Sequence, residues 1–366
     1  MVNETVILGG GLAGGAAAVL LARGGEPVRV LEREAGPRDK ICGEFLSIEA
    51  RRDLARLGLD TERLGAVAID RVRLSSGERQ IEAPLPFAAQ GISRKVLDEA
   101  LLETAIASGA KVERGVRVMR LDDCDVATSA GPCPAGRILL ATGKHDLRGV
   151  HRAGPATRGG YVGFKMHYRA DPRRRAELAG AIELVLFHEG YAGLQLIAPN
   201  VFNLCLIVRQ SRLAETGGRW DTLLADLMDE SALARHVCGA EPLFAQPLTI
   251  ANLPYGYLCK PDRASLHLYR LGDQAAMTAS LTGDGMAVAL RSAHLAAASV
   301  LAGEDGPAYQ RRLKRMVSGQ VRRAMLVQRA TEVPFILQAG IGLLTLWPRL
   351  LAGLASATRL PDWTCA

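Results

Sequence analysis

Three glycines and one carboxylate near the start of the chain carry the first chemistry that residue types and spacing allow. In Thr5-Val-Ile-Leu-Gly9-Gly-Gly11-Leu-Ala-Gly14 an apolar strand runs into a glycine-rich turn, and a helix of small residues from Ala16 to Arg23 follows at once. This is the spacing of a dinucleotide cradle. Gly9 permits the tight turn, Gly11 lets the backbone approach a pyrophosphate, and Gly14 lets the helix pack on the strand. The helix N-terminus offers unpaired N–H groups and partial positive charge to the phosphates. A second strand, 28–32, ends in Glu32, about 20 residues on, where a carboxylate can accept hydrogen bonds from ribose hydroxyls. The alternative is a βαβ unit with an unused turn. Strand, helix, second strand and acid all in register favour nucleotide binding.

The elements that must position these groups follow from periodicity. Ser47 is placed to cap a helix reaching Leu57, and Ser93 a second helix with Val96, Leu97, Ala100, Leu101 and Ala105 on one face, ended by Gly109. Residues 111–121 read as one or two strands, and 137–142 as a buried strand ending at Gly143. Alternation then takes over. Segments 161–168, 182–187, 194–197 and 202–208 predict an antiparallel meander with one covered face, and 219–237 reads as mostly helical. A parallel-type strand returns at 266–271 and ends in Gly272-Asp273; the turn Leu281-Thr-Gly283-Asp-Gly285-Met286 then opens a long helix over 287–301. The expected fold class is α/β. A Rossmann-like nucleotide-binding domain over 1–155 and 262–305 is interrupted by an antiparallel β-sheet substrate domain over 156–261, and a helical C-terminal region covers 306–366.

Three separated blocks span almost the whole chain: Gly9 to Glu32; Ile41-Cys42-Gly43-Glu44 together with Arg94; and Gly272-Asp273 with Thr282-Gly283-Asp284-Gly285. In composition and order they resemble the FAD-dependent monooxygenase superfamily of the p-hydroxybenzoate hydroxylase type. The branch they resemble most is that of the geranylgeranyl reductases and the flavin hydroxylases of secondary metabolism. The resemblance implies a GR2-type flavoprotein with FAD as cofactor. It implies that Gly9, Gly11 and Gly14 approach the pyrophosphate, that Glu32 holds the adenosine ribose, and that Arg94 lies near the flavin phosphate or ribityl chain. Asp273 is implied to bind a ribityl hydroxyl, while Gly283 and Gly285 let the turn approach the isoalloxazine. Leu12, Ala13, Arg33, Gly43, Gly143 and Met286 complete the residues expected along the cofactor. Cys42 falls in the loop implied to lie beside the isoalloxazine ring, where a small buried apolar thiol and a redox or covalent-flavin cysteine are the two readings.

Departures from the family pattern matter as well. Where many members carry Gly-x-Asp-Gly, this chain has Ala141-Thr-Gly143-Lys-His-Asp146-Leu-Arg148, and Ser280 stands where many have proline. A second GxGxxG for a nicotinamide nucleotide is absent from the sequence. The reductant is therefore expected to be NAD(P)H bound transiently, or a partner reductase.

FAD performs the redox chemistry, and the protein sets substrate and oxygen access. The Trp-x-Trp-x-Ile-Pro block of flavin halogenases is missing; the corresponding region, Gly190-Tyr191-Ala-Gly193-Leu-Gln195-Leu-Ile-Ala-Pro199, holds no tryptophan. Hydroxylation of a lipophilic aromatic or polyketide leads, with reduction of isoprenoid double bonds as the alternative and a non-catalytic nucleotide-binding protein as the reading from another class. The meander is expected to floor the substrate pocket. Phe164, Met166, Leu194, Leu196 and Phe202 are either its lining or ordinary core. Lys165, His167, His188, Tyr191 and Gln195 are the polar residues on or beside these strands; Cys42, Lys165, His188 and Tyr191 are carried as catalytic candidates.

The 366 residues suffice for a large core. The seven cysteines (42, 124, 133, 205, 238, 259, 365) form no CxxC pair and have no histidine cluster beside them, so no metal is expected. No basic leader precedes the first strand, so a reducing cytoplasm is expected. The net charge of +7 concentrates in Arg173-Arg174-Arg175 and in 311–329, an amphipathic helix with a basic outer face. Its readings are a solvated surface or attraction to anionic lipid or an acidic partner. Few aromatics interleave with these basic residues, which argues against nucleic acid. The apolar run 333–347 is interrupted by Pro348-Arg349 and resumes over 350–357. It is too short for a span of about 20 residues, so it is expected to pack as a lid over the cavity or to lie in a membrane interface. Either role suits a small lipophilic substrate.

Overall fold

A computed structural model describes residues 4–152, 160–262 and 264–361; the expected boundary at 155–156 lies outside them. The chain opens with β1 (Thr5–Leu8), α1 (Leu12–Arg23) and β2 (Val28–Glu32). Next come β3 (Phe45–Leu46), α2 (Ile48–Arg56), β4 (Val67–Ser76), β5 (Arg79–Gly91) and α3 (Arg94–Ala107). Short strands follow: β6 (Lys111–Arg114), β7 (Val118–Asp122), β8 (Asp125–Thr128), β9 (Gly131–Pro134) and β10 (Arg137–Leu140). The Ser93 side chain caps α3 by accepting from the Lys95 N–H.

The middle of the chain is β11 (Tyr161–Arg169), α4 (Pro172–Leu178), β12 (Gly180–Phe187), β13 (Gly190–Ala198) and β14 (Val201–Arg209). Helices α5 (Gln210–Glu215), α6 (Trp220–Glu230) and α7 (Ala234–Val237) then lead to β15 (Leu248–Ala251). The final part comprises β16 (Tyr257–Leu258), β17 (Leu268–Arg270), β18 (Ala276–Met277), α8 (Gly285–Leu301), α9 (Gly306–Glu332), α10 (Pro334–Leu346) and α11 (Arg349–Ala357).

Two sheets organise these elements. The first is parallel, in the order β17-β10-β1-β2-β6. Its strands are buried on both sides and read as continuous apolar runs, which is why 5–8 and 137–140 show no alternation. Helices α1 and α8 pack against it through alanine-rich faces within one core.

The second sheet has eight strands in the order β15-β11-β14-β13-β12-β4-β5-β3. Strands β12, β13 and β14 form an antiparallel meander as the alternation predicts, but β11 pairs with β14 instead of β12, and β12 joins β4 in parallel, so the sheet is mixed. Strands β4 and β5 have no counterpart in the sequence reading. Pro84 and Pro86 sit inside β5 next to a register shift, and proline at a bulge hides a strand from pattern reading.

One face of this sheet is covered by α4, α6 and α7. Phe164, Met166, Leu194, Leu196 and Phe202 point into that core with Leu223, Leu227 and Val237. These five residues are therefore helix-covered core. The opposite face meets α10 and α11, through Ile341, Leu344 and Leu351.

Candidate functional site

The site lies where the carboxyl ends of β1 and β2 open toward the second sheet, the usual crevice of an open α/β sheet. Gly9 has φ +107°, and a Cβ there would stand 2.6 Å from the Ala141 carbonyl oxygen. A Cβ on Gly14 would stand 1.9 Å from the Gly9 oxygen. Gly14 thus fixes helix-to-turn packing and does not face the cavity, whereas Gly9, Gly11, Leu12 and Ala13 do. Glu32 is buried at the end of β2. Its Oε2 accepts from the Gly10 N–H at 2.7 Å and its Oε1 from Glu34 at 3.0 Å.

Cations converge on the start of α1. The position a Cβ would take on Gly11 is 3.5 Å from Lys40 Nζ and 3.7 Å from Arg94 Nη2. Both are tied to one acid: Arg94 donates to Asp98 at 2.8 and 2.9 Å, and Lys40 Nζ lies 3.1 Å from Asp98 Oδ2. Two cations against one carboxylate leave net positive charge beside free helix N–H groups, the donor set that a diphosphate needs.

Residues 40–44 cross from this cradle to the second sheet. Glu44 holds them. It adopts φ 61°, the left-handed region that a non-glycine residue enters only when its surroundings impose it. Its Oε1 lies 2.6 Å from Lys165 Nζ and accepts from the Arg94 N–H at 2.7 Å; its Oε2 lies 2.8 Å from His167 Nε2. Burial alone would raise the Glu44 carboxyl, but the Lys165 ammonium and His167 outweigh it and its pKa is lowered. Lys165 also donates to the Lys40 carbonyl at 3.0 Å, and Asn203 Nδ2 donates to the carbonyls of Cys42 and Gly43 at 3.2 and 2.9 Å. Asp39, Glu44 and His167 bring ligand-type atoms within 4.8 Å of one another. The ammonium of Lys165 already occupies that carboxylate, which makes the group an ion-pair network.

On the far side of the crevice, Asp273 Oδ2 lies 3.2 Å from Lys144 Nζ, which also donates to the Ile41 carbonyl at 3.3 Å. Burial would lower the Lys144 ammonium, and the Asp273 carboxylate outweighs it, so its pKa rises. Gln274 donates to the carbonyls of Gly143 and His145 at 2.8 and 2.9 Å and shapes that loop. Gly283 has φ +72° and precedes α8, whose first residue is Gly285. Arg359, just beyond α11, reaches this turn: its guanidinium donates to the Thr282 carbonyl and lies 2.8 Å from Asp284 Oδ1.

A cavity of about 1270 Å³ joins these parts. Arg33, Glu32, Lys40, Cys42, Gly43, Arg94, Gly143, Asp273, Gly283, Gly285 and Met286 line its dinucleotide end. Val72, Leu74, Ile182, Leu184, Leu186 and Ile207 line the other end under Leu337, Ile341 and Leu344 of α10. The wall is the sheet face opposite to the helix-covered one.

The four catalytic candidates separate. Cys42 and Tyr191 face the cavity. The Tyr191 hydroxyl lies by those of Tyr255 and Ser280, themselves 2.5 Å apart, and burial pushes its pKa up. Lys165 is wholly buried behind residues 40–44 and does not reach the cavity. His188 sits exposed in the turn between β12 and β13, away from it. Lys40, Glu44, Asp98 and Lys144 were not singled out from the sequence. Glu44 and Lys144 lie inside quoted segments and Lys40 directly before one, yet only the fold sets Lys40 against Asp98 and Lys144 against Asp273.

No family model matches the chain. A menaquinone reductase from Mycolicibacterium smegmatis is 32% identical over 121 residues, which are 32% of this chain and 30% of that protein. The chain thus matches under a third of the length of these curated relatives. Among solved structures, the flavin-dependent brominase Bmp2 superposes with TM-score 0.77 at 18% identity, covering 99% of this chain and 95% of the other. PqsL, a probable FAD-dependent monooxygenase from Pseudomonas aeruginosa, gives 0.71 at 16% identity, covering 93% and 99%. The chain shares the fold of these two solved structures, within the α/β class expected from its sequence.

Proposed function

We propose that the protein is an FAD-dependent oxidoreductase acting on a small lipophilic substrate, most directly as a monooxygenase that hydroxylates an aromatic or polyketide. One observation carries this reading: a single cavity runs from a phosphate-type cradle to a chamber walled by aliphatic side chains. The residues fit FAD. Backbone at Gly9 and Gly11 leaves no bulk in the way, Lys40 and Arg94 supply charge for the diphosphate, and Glu32 and Asp273 supply acceptors for ribose and ribityl hydroxyls. Bound FAD supplies the electron transfer and oxygen activation. The N-terminus of α8 favours negative charge on the cofactor, Glu44 fixes Cys42 and Gly43 against the sheet, and α10 with α11 keeps bulk water out.

A second reading, reduction of an isoprenoid double bond, is favoured by the local likeness to a menaquinone reductase. Purified protein given FAD, NADPH, air and candidate substrates distinguishes the two. Oxygen uptake with gain of one oxygen atom in the product supports hydroxylation. Gain of two hydrogen atoms without oxygen uptake supports reduction, and failure to retain near-equimolar flavin rules out both. NAD(P)H is proposed to act transiently or to be replaced by a partner reductase.

We also propose peripheral contact with an anionic membrane. No helix among the described residues is long and apolar enough to cross one. However, Phe335 is 82% exposed, Leu346 70% and Trp347 57%, and Arg322, Arg323 and Arg329 on α9 and Arg349 at the start of α11 are exposed as well. Co-flotation with phosphatidylglycerol vesicles, lost in a Phe335→Ser/Trp347→Ser double variant, is the expected result. An absence of flotation removes the idea.

A further inference from the structure

One amide in the cavity wall has neither end hydrogen-bonded within the protein. Polar residues on the cavity face of the second sheet include Lys165 and His167 on β11, Asn203 on β14, and Tyr191 and Gln195 on β13. Strand register places three of them in one row, because His167 pairs with Asn203 and Asn203 with Gln195. Lys165, His167 and Asn203 are engaged with residues 40–44. Gln195, at the end of the row, is only 1% exposed, lines the cavity, and has neither its amide oxygen nor its amide nitrogen hydrogen-bonded. A buried amide with both ends unpaired is a free-energy deficit that native cores avoid. Its cross-strand neighbour on β14, Asn203, spends its amide nitrogen on the carbonyls of Cys42 and Gly43 and has its own Oδ1 unpaired, so it supplies no donor to the Gln195 amide oxygen.

We infer that Gln195 is a substrate-recognition residue, and that the ligand it takes carries a phenol-type hydroxyl on an apolar body. The amide oxygen requires a donor and the amide nitrogen an acceptor; a hydroxyl is both in one group. A hydrocarbon pairs neither end, and a lone carbonyl or an ether leaves the amide oxygen orphaned, which is the discrimination that buried polar groups produce. A carboxylate is disfavoured because it would lose its hydration against aliphatic walls. The ring or chain attached to the hydroxyl extends along β12 and β4 beneath α10. This subsite rests on the reading of the cavity as a lipophilic chamber.

The test uses FAD-loaded protein and three probes: para-nonylphenol, its methyl ether and nonylbenzene. Binding is measured by equilibrium dialysis and by perturbation of the flavin absorption bands. Wild type is expected to hold the phenol about tenfold more tightly than the ether or the hydrocarbon, a difference of about 1.4 kcal/mol. Gln195→Leu is expected to abolish that preference while holding nonylbenzene at least as tightly as wild type. Gln195→Met serves as a second variant of similar length, and flavin content with melting temperature verifies that each variant is folded. A preference that survives in both variants, or that is absent in wild type, overturns the subsite alone. Failure of all three probes to bind overturns the lipophilic-chamber reading and the subsite with it.

Discussion

Two buried carboxylates flank the dinucleotide end of the cavity, one in residues 40–44 and one at the start of α8, and their pKa values are shifted in opposite directions. Glu44 and Asp284 are both fully buried. Glu44 has an ammonium at 2.6 Å, an imidazole at 2.8 Å and a backbone N–H at 2.7 Å, and its pKa is lowered. Asp284 has the Arg359 guanidinium at 2.8 Å and the Gln320 amide at 2.9 Å, and burial still pushes it up to about 6. Burial is common to both. The sign follows from the donors: two cationic or protonatable partners and a backbone amide overcome desolvation, whereas one guanidinium and one neutral amide do not. The first carboxylate therefore stays charged and clamps residues 40–44, while the second takes up its proton as pH falls through about 6, beside the start of α8.

The largest way to break this contrast is Lys165→Met, which leaves Glu44 buried without its nearest cation. A loss of about 3–5 kcal/mol in chemical unfolding is expected, together with lower flavin retention as residues 40–44 lose their anchor. A loss below about 1 kcal/mol would show that the pair is solvated in practice.

Asp284→Asn comes next. For an acid whose folded pKa lies above its unfolded value, the unfolded chain ionises first as pH rises. Wild-type stability should therefore fall between pH about 4 and about 6 by on the order of 2–3 kcal/mol, and the asparagine variant should lack that slope. Equal slopes in the two proteins would remove the raised carboxyl.

Glu44 gives the opposite slope at the acid end. Its stabilisation is present above the ordinary carboxylate range and is lost as pH falls through its lowered value. Glu44→Gln should therefore flatten the acid limb of the stability profile, and an unchanged limb would mean that the clamp is not charged.

Cys42→Ser is expected to change least. The Cys42 thiol accepts a long contact, 3.4 Å, from the Glu44 N–H and also interacts with the Arg94 guanidinium; a serine hydroxyl can keep both, so FAD binding should survive. Turnover measured with flavin still bound tests a redox role for the thiol: retained turnover excludes it and abolished turnover supports it.

The dinucleotide cradle was legible in the sequence because its parts are local: Gly9 to Glu32 is one strand, one helix and one strand. Glu44 was not, since its partners Lys165 and His167 lie more than a hundred residues away and only the fold brings them near. The wall was half legible. Tyr191, Gly193 and Gln195 alternate along β13 with Ala192, Leu194 and Leu196, and both sets are largely buried. With both faces covered, a period of two says which residues share a side but not which side meets the ligand. Strand β5 escaped because its prolines fall where pairing is interrupted.

Arg359 makes the stretch just past α11 a latch on a turn 77 residues upstream. Arg359→Ala would spare every glycine of the phosphate grip and yet free the start of α8. A single side chain remote in sequence from the cradle therefore governs how firmly the turn is held, and flavin colour alone would reveal its loss.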